Sequence, residues 1–148
     1  MSRGPLIVDT GAWLLALAGE EPYAGALTAA RPAFVPGLVL AEVDWHLRDD
    51  RRSMRRLMAD LRRAYAYETP TGADLARAME IDAKFSTLRL GLVDASVAAL
   101  AERLAVHRIL TTDTDFVAVR VGPRWERALE LVVPPQRRAA RRERRSRS

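Results

Sequence analysis

Two apolar runs in this chain end on an aspartate, although they lie far apart in the sequence. Residues 6–8 (LIV) precede Asp9, and residues 109–112 (ILTT) precede Asp113. Short runs of this kind predict strands buried in a parallel sheet, whose carboxyl ends collect ligands and reacting groups. Two acids brought to one rim raise each other's pKa unless a cation lies between them. The pattern therefore predicts a divalent-metal site, whose commonest use is metal-bound water attacking a phosphate ester.

Length and composition limit the class of protein. A chain of 148 residues fits one domain, and an apolar content of 49% excludes a disordered or collagen-like chain. Cysteine is absent, so any metal must be held by oxygen atoms or by the two histidines. No stretch approaches the roughly 20 apolar residues that span a bilayer, and no apolar signal segment precedes residue 6. We expect a cytoplasmic protein that has no contact with a membrane.

The net charge of +5 is concentrated at one end of the chain. Residues 137–148 contain seven arginines and one glutamate, so the remainder carries about −1. Such a segment is either a solvated end or a non-specific contact for polyanions. We predict a folded domain over residues 1–134 and a flexible, Arg-rich tail over residues 135–148.

Hydrophobic spacing predicts an α/β fold with a mostly parallel sheet, because helices alternate with short apolar strands. Thr10 is expected to cap the first helix, and Thr71 and Asp74 to form a capping box. The predicted strands cover residues 6–8, 34–35, 109–112 and part of 129–133. The predicted helices cover residues 13–18, 23–30, 36–48, 51–66, the segment from 71 through 88, and 93–104.

Two further acids are placed where surface residues are not expected. Glu42 lies early in a helix, Asp94 lies in the first turn of another, and both are embedded in apolar sequence. Each acid also has a structural explanation. Asp9 could bond to the following turn, Asp94 could stabilise a helix N-terminus, and Glu42 could pair with an arginine.

The order of these acids resembles that of the PIN domain, in particular the VapC-type toxins of bacterial toxin–antitoxin pairs. The resemblance covers about residues 5–133 and rests on four segments, at residues 7–10, 41–42, 92–95 and 110–116. It implies a three-layer α/β/α sandwich with a short, mostly parallel central sheet. It also implies an endoribonuclease that depends on Mg²⁺ or Mn²⁺ and leaves 5′-phosphate and 3′-hydroxyl ends.

The resemblance assigns roles to particular residues. Its catalytic acids match Asp9, Glu42, Asp94 and Asp113. Asp9, Asp94 and Asp113 would bind the metal. Glu42 could ligate it directly, act through water or help to deprotonate the nucleophile. Supporting positions of the family match Thr10, Thr112 or its neighbour Thr111, and Asp115.

The resemblance also implies partners. It predicts an RNA substrate, a homodimer and inhibition by a cognate antitoxin. Such an antitoxin would lay an amphipathic helix into an apolar groove, for which the helices near Trp13 and Trp45 are candidates. Trp45 and Tyr65 are interpreted as core or groove-lining residues rather than as platforms on which bases stack.

The helix predicted over residues 51–66 carries an arginine-rich face opposite its apolar face. This face could follow an RNA backbone, or it could be a solvated helix surface. The arginines considered for RNA contact are Arg51, Arg52, Arg55 and Arg56.

Other functions fit parts of the sequence. Residues 9–11 (DTG) match the signature of aspartic proteases, but those enzymes are mostly β and this chain is mostly helical. A phosphoacceptor fold would place a second acid beside Asp9 and a lysine on a later strand, whereas Lys84 falls in a predicted helix. A PIN-type RNA-processing nuclease without an antitoxin, and a non-catalytic PIN-like binding module, remain open alternatives.

Overall fold

Short parallel strands form the centre of this fold, in a computed structural model that describes residues 4–134. The predicted tail over residues 135–148 lies outside the described residues. The strands are β1 (Leu6–Val8), β2 (Ala33–Pro36), β3 (Tyr65–Glu68), β4 (Arg108–Leu110), β5 (Arg120–Val121), β6 (Arg127–Ala128) and β7 (Glu130–Leu131). The α-helices are α1 (Thr10–Leu17), α2 (Tyr23–Ala29), α3 (Gly37–His46), α4 (Arg51–Leu61), α5 (Gly72–Lys84) and α6 (Gly91–Leu104). Two 3₁₀ turns follow α5 and β4, at Ser86–Leu88 and Thr114–Val117.

The order of the strands creates a crevice at one edge of the sheet. Five strands lie in the order β3-β2-β1-β4-β7, and every neighbouring pair is parallel. The chain steps outward from β1 to β2 and β3, and then returns to the other side of β1 as β4. The direction in which successive strands are added to the sheet therefore reverses between β1 and β4. Ligands bind at such switch points, outside the carboxyl ends of the strands.

Apolar burial on both sides of the sheet gives the three-layer α/β/α sandwich that the sequence predicts. The side chains of β1 are at most 1% exposed, as expected for a central parallel strand covered by helices. A long run in α6, from Ala95 to Ala101, is buried as well, so this helix belongs to the core. Within residues 4–134 no helix is long and apolar enough to cross a membrane.

Several predicted elements are confirmed with small shifts at their ends. Thr71 and Asp74 form the expected capping box at the start of α5, with both reciprocal hydrogen bonds present. The strand predicted over residues 109–112 ends at Leu110, so Thr111 and Thr112 lie in the loop that follows it. The first helix begins at Thr10 and has Asp9 at its N-cap position, so the prediction of Thr10 as the cap is wrong.

Strand β3 was not predicted, because Tyr65 continues the apolar spacing of the preceding helix and made that helix seem longer. Helix α4 ends at Leu61, and Tyr65 packs edge-on against Trp13 with ring centroids 4.9 Å apart. Trp13 is completely buried, so it cannot line a surface groove. Trp45 is 62% exposed, so the core alternative for this residue is wrong, and the groove-lining alternative stays a prediction.

Candidate active site

Asp9 is fixed at the carboxyl end of β1 by backbone and side-chain hydrogen bonds. Its N–H donates to the Leu110 carbonyl at 2.9 Å, and its own carbonyl accepts from Trp13 N–H at 3.0 Å. The carboxylate is 5% exposed, and its Oδ2 accepts the Thr111 hydroxyl at 2.9 Å. Its Oδ1 has no hydrogen-bond partner within residues 4–134. A buried carboxylate oxygen without a partner is costly unless something outside the chain neutralises it.

Thr111 connects Asp9 to the loop that carries Asp113. Its Oγ1 donates to Asp9 and accepts from Asp113 N–H at 3.0 Å. Asp113 caps the 3₁₀ turn that follows, since its Oδ1 accepts from Asp115 N–H at 2.9 Å. The pairing of Val8 with Leu110 explains the contact, because the next residues along the two strands are Asp9 and Thr111.

Asp94 and Glu42 complete the acidic cluster from two helices. Asp94 lies in the first turn of α6 and Glu42 on α3, and both side chains are partly buried. Burial raises the pKa of Asp94 to about 8, together with the charges of Asp9, Asp113 and Glu42 and a hydrogen bond with Asp113. The four carboxyl groups that the sequence singles out therefore lie within electrostatic range of one another.

The pKa of Asp9 is also raised, and its causes oppose one another. Burial raises it most, and the charges of Asp113 and Glu42 add to the rise. The nearby backbone of Thr10 and the hydrogen bond from the Thr111 hydroxyl lower it, because they stabilise the charged form. The rise prevails, so this cluster holds more negative charge than its own hydrogen bonds neutralise.

The donor set fits a hard divalent cation. As the side chains stand, no three acidic or histidine side chains in the described part of the chain are arranged to hold a metal ion. The unpartnered Oδ1 of Asp9 nevertheless provides a buried anionic oxygen beside other carboxylates, and oxygen is the ligand that Mg²⁺ and Mn²⁺ prefer. The residues present are therefore suited to such an ion.

The residues predicted to support the site differ in their burial and in their contacts with the acidic cluster. Thr10 is buried, its backbone lowers the pKa of Asp9, and its hydroxyl has no partner among the described residues. Asp115 is partly buried and donates its N–H to Asp113. Thr112 is exposed and packs over Gly11, where an added Cβ would overlap the Thr112 hydroxyl. The sequence did not decide whether Thr111 or Thr112 supports the site. In the structure it is the Thr111 hydroxyl that donates a hydrogen bond to Asp9.

The four arginines considered for RNA contact lie at the start of α4 and are exposed. Arg51 is engaged with Asp44 at 2.8 Å and is thus partly neutralised. Arg52, Arg55 and Arg56 form no ion pair with any residue between 4 and 134, so their charges are available to an external anion.

A parallel sheet whose switch point gathers four carboxylates is the arrangement expected of a PIN domain. The PIN domain family matches residues 6–122, which include all four of these acids. The chain belongs to this family. No functionally curated protein is similar enough in sequence to match it.

Three solved structures share the fold over most of their length. VapC20 of Mycobacterium tuberculosis, described as a sarcin–ricin loop-cleaving toxin, has a TM-score of 0.64 and 24% identity, covering 76% of this chain and 93% of its own. A toxin–antitoxin complex from Klebsiella pneumoniae has a TM-score of 0.62 and 19% identity, and the match covers 74% of this chain and 87% of that one. VapBC2 from Rickettsia felis, bound to a promoter DNA fragment, has a TM-score of 0.61 and 15% identity. This match covers 76% of this chain and 90% of that one. At these identities the similarity defines the fold.

Proposed function

We propose that this chain is a metal-dependent endoribonuclease of the VapC toxin type. The observation that carries the proposal is the acidic cluster at the switch point, in which Asp9 is buried and keeps one oxygen without a partner among residues 4–134. The fold shared with VapC20 and with two toxin-related complexes supports RNA as the substrate and an antitoxin as a partner. A homodimer and a cytoplasmic location belong to the same proposal.

Asp9, Asp94 and Asp113 are the proposed ligands of Mg²⁺ or Mn²⁺. When bound, such an ion would supply an activated water at neutral pH and charge stabilisation for the phosphate oxygens. The Thr111 hydroxyl occupies Oδ2 of Asp9, so it fixes the carboxylate and leaves Oδ1 for the ion. Asp94 and Asp113 are less buried than Asp9 and share a hydrogen bond, and their carboxylates would have to turn to complete the ligand set.

Glu42 has a different setting from the three aspartates. It lies within α3 rather than at a strand end, and its charge raises the pKa of both Asp9 and Asp94. It is therefore placed to ligate directly, to act through a water molecule, or to accept the proton of the attacking water. Thr10, Thr112 and Asp115 are proposed to support the site.

An RNA cleavage assay tests the proposal. Labelled single-stranded and stem–loop RNAs are incubated with wild-type protein in Mg²⁺ or Mn²⁺, in excess EDTA, and with the Asp9→Asn variant. We expect cleavage only by wild type with metal, leaving 5′-phosphate ends, and a loss of at least about 100-fold in Asp9→Asn, equivalent to about 2.7 kcal/mol of transition-state stabilisation. Glu130→Gln is the matched control, because Glu130 is exposed on β7 opposite Arg108, at the amino end of β4.

The outcomes separate the alternatives. Cleavage that persists in EDTA would contradict a metal-dependent site. RNA binding without cleavage would favour the non-catalytic module. Growth arrest on expression of wild type but not of Asp9→Asn distinguishes a toxin from an RNA-processing nuclease, which should be tolerated by the cell.

A further inference from the structure

Trp45 is the most exposed large apolar side chain in the described part of the chain, at 62%. It lies on α3, three residues after Glu42, and residues at this spacing are neighbours on one helix face, with Cβ atoms about 5–6 Å apart. The rise between them is about 4.5 Å along the helix axis. An exposed indole therefore stands one helical turn from the acidic cluster.

Arg48 fixes this indole from one side. Its guanidinium carbon lies 4.1 Å from the centroid of the Trp45 ring, and its Nη1 donates to the Trp45 carbonyl at 2.8 Å. A stacked guanidinium holds the ring in one orientation, which lowers the entropy lost when a ligand binds. One face of the ring is thus covered by a cation, and the ring still presents most of its surface to solvent.

The arginines beside and after Trp45 match the phosphates of a nucleic acid better than an apolar protein segment. Arg48 is exposed beside the ring, and Arg52 and Arg55, which form no ion pair within residues 4–134, follow on the next helix. The charge of Arg52 also lowers the pKa of Asp50. Four acids also lie within five residues of Trp45: Asp44 pairs with Arg51, Asp50 accepts the N–H and the hydroxyl of Ser53, Glu42 belongs to the acidic cluster, and the exposed Asp49 has no ion pair within residues 4–134. A base has an aromatic face for the indole, and its phosphates match the arginines.

We propose that Trp45 is a positioning residue that stacks on one unpaired base of RNA next to the phosphate at the acidic cluster. The inference rests on the proposed function, which supplies RNA as the ligand. The Arg48 guanidinium, the indole and the base form one stack, and the unpaired arginines of α4 contact the neighbouring phosphates. Because a base in a duplex is already stacked on both faces, this platform selects single-stranded segments and loops.

The test measures binding without cleavage. All proteins carry Asp9→Asn and are titrated with a labelled single-stranded RNA in EDTA, with fluorescence anisotropy as the readout. Trp45→Ala is expected to weaken binding roughly tenfold, within the range of one base–aromatic stack, and Trp45→Phe to retain most of the affinity. Met79→Ala is the matched control, because Met79 is 54% exposed on α5 and should leave the affinity unchanged.

An abasic scan of the same RNA gives a result that a purely structural role would not produce. Removing one base at successive positions should weaken binding to the Trp45 protein most strongly at a single position. In Trp45→Ala that position should lose its effect, because the base no longer has a partner. RNA should also quench tryptophan emission in the Trp45 protein but not in Trp45→Phe, in which Trp13 and Trp125 remain.

Several results would overturn the inference. These are equal affinity of Trp45→Ala and the parent protein, equal losses for single-stranded and duplex RNA, or an abasic effect that persists without Trp45. A Trp45→Ala protein that binds RNA normally but loses self-association or antitoxin binding would place Trp45 in a protein interface instead.

The outcomes also separate the two proposals. Binding through Trp45 without any cleavage by wild type would defeat the proposed activity alone, and normal cleavage with no role for Trp45 would defeat this inference alone.

Discussion

At the scale of single residues, the site depends on how one carboxylate is held. Asp9 is buried, and hydrogen bonds lower its pKa less than burial and neighbouring acids raise it. Thr111 supplies the only side-chain hydrogen bond to this carboxylate within the described residues, and the same hydroxyl accepts from Asp113 N–H. One oxygen atom therefore positions two of the proposed metal ligands.

Thr111→Val tests this role, because valine keeps the shape of the side chain and removes the hydroxyl. The change leaves Asp9 Oδ2 and the Asp113 N–H without their partner, so we expect a loss of about 1–3 kcal/mol in the free energy of unfolding. Denaturant titration measures it. Thr112→Val is the comparison, since Thr112 is exposed and should change stability by less than about 0.5 kcal/mol. A larger effect at Thr112 than at Thr111 would contradict the assignment.

The acids of the site could be found from the sequence, but the contacts between them could not. Asp9 and Asp113 follow apolar runs, and Glu42 and Asp94 interrupt apolar helices, so position and chemistry were sufficient to select them. The choice between Thr111 and Thr112 depended on the strand register, which a single sequence does not reveal. The core alternative for Trp45 was wrong, because spacing along a helix does not show which side the rest of the chain covers.

At the scale of elements, one carboxylate links helices α5 and α6. Asp74 is buried, closes the capping box with Thr71, and accepts from Arg103 Nε at 3.0 Å. Arg103 also reaches Glu68 on β3 at 3.3 Å. Burial opposes the charge on Asp74, but hydrogen bonds from Thr71 and Arg103 outweigh it, so the pKa of Asp74 is lowered from 3.8.

The sign of this shift predicts a pH dependence. An acid whose folded pKa is depressed contributes stability above its unfolded pKa and loses that contribution as the pH falls through the folded value. Asp74→Asn should therefore cost about 1–2 kcal/mol at pH 7 and much less when the pH is well below 3.8. Urea denaturation of both proteins at several pH values measures the difference. Asp49→Asn, an exposed acid, is the control, and an equal or pH-independent loss would contradict the account.

Local signals decided which elements the sequence could reveal. In α5 the capping box and the apolar spacing both indicate a helix, and in α6 the apolar spacing alone does so. Both helices were therefore predicted. Strand β3 has only four residues, of which three are half-buried and one is exposed, so it shows no alternating pattern, whereas Tyr65 fits a helical stripe. The two-residue strands β5 and β6 are set by their pairing, which no local pattern specifies.

At the scale of the whole molecule, the parallel sheet was predicted but the order of its strands was not. Apolar runs identify buried strands, yet the position of β4 beside β1 results from packing across the entire chain. That position brings Asp9 and Asp113 to one crevice, and α6 adds Asp94. The fold therefore assembles mutually repelling charges, and an apolar core outweighs the cost of holding them together.

Asp94→Asn should reveal that cost. The pKa of Asp94 is raised to about 8, and an acid with a raised pKa destabilises the folded state at pH 7. Without divalent ions, the variant should be more stable than wild type by on the order of 1–3 kcal/mol, because partial exposure screens the repulsion. Adding Mg²⁺ should stabilise wild type more than the variant in thermal unfolding. A variant less stable than wild type in EDTA would show that the acids do not repel one another as described.

Direct counting of bound Mn²⁺ by electron paramagnetic resonance tests the central claim, that these acids form one cation site. Wild type and Glu130→Gln should bind Mn²⁺ to the same extent, and Asp9→Asn should lose most of that binding, with Mg²⁺ competing for the same site. Equal Mn²⁺ binding by all three proteins, or none by wild type, would contradict it.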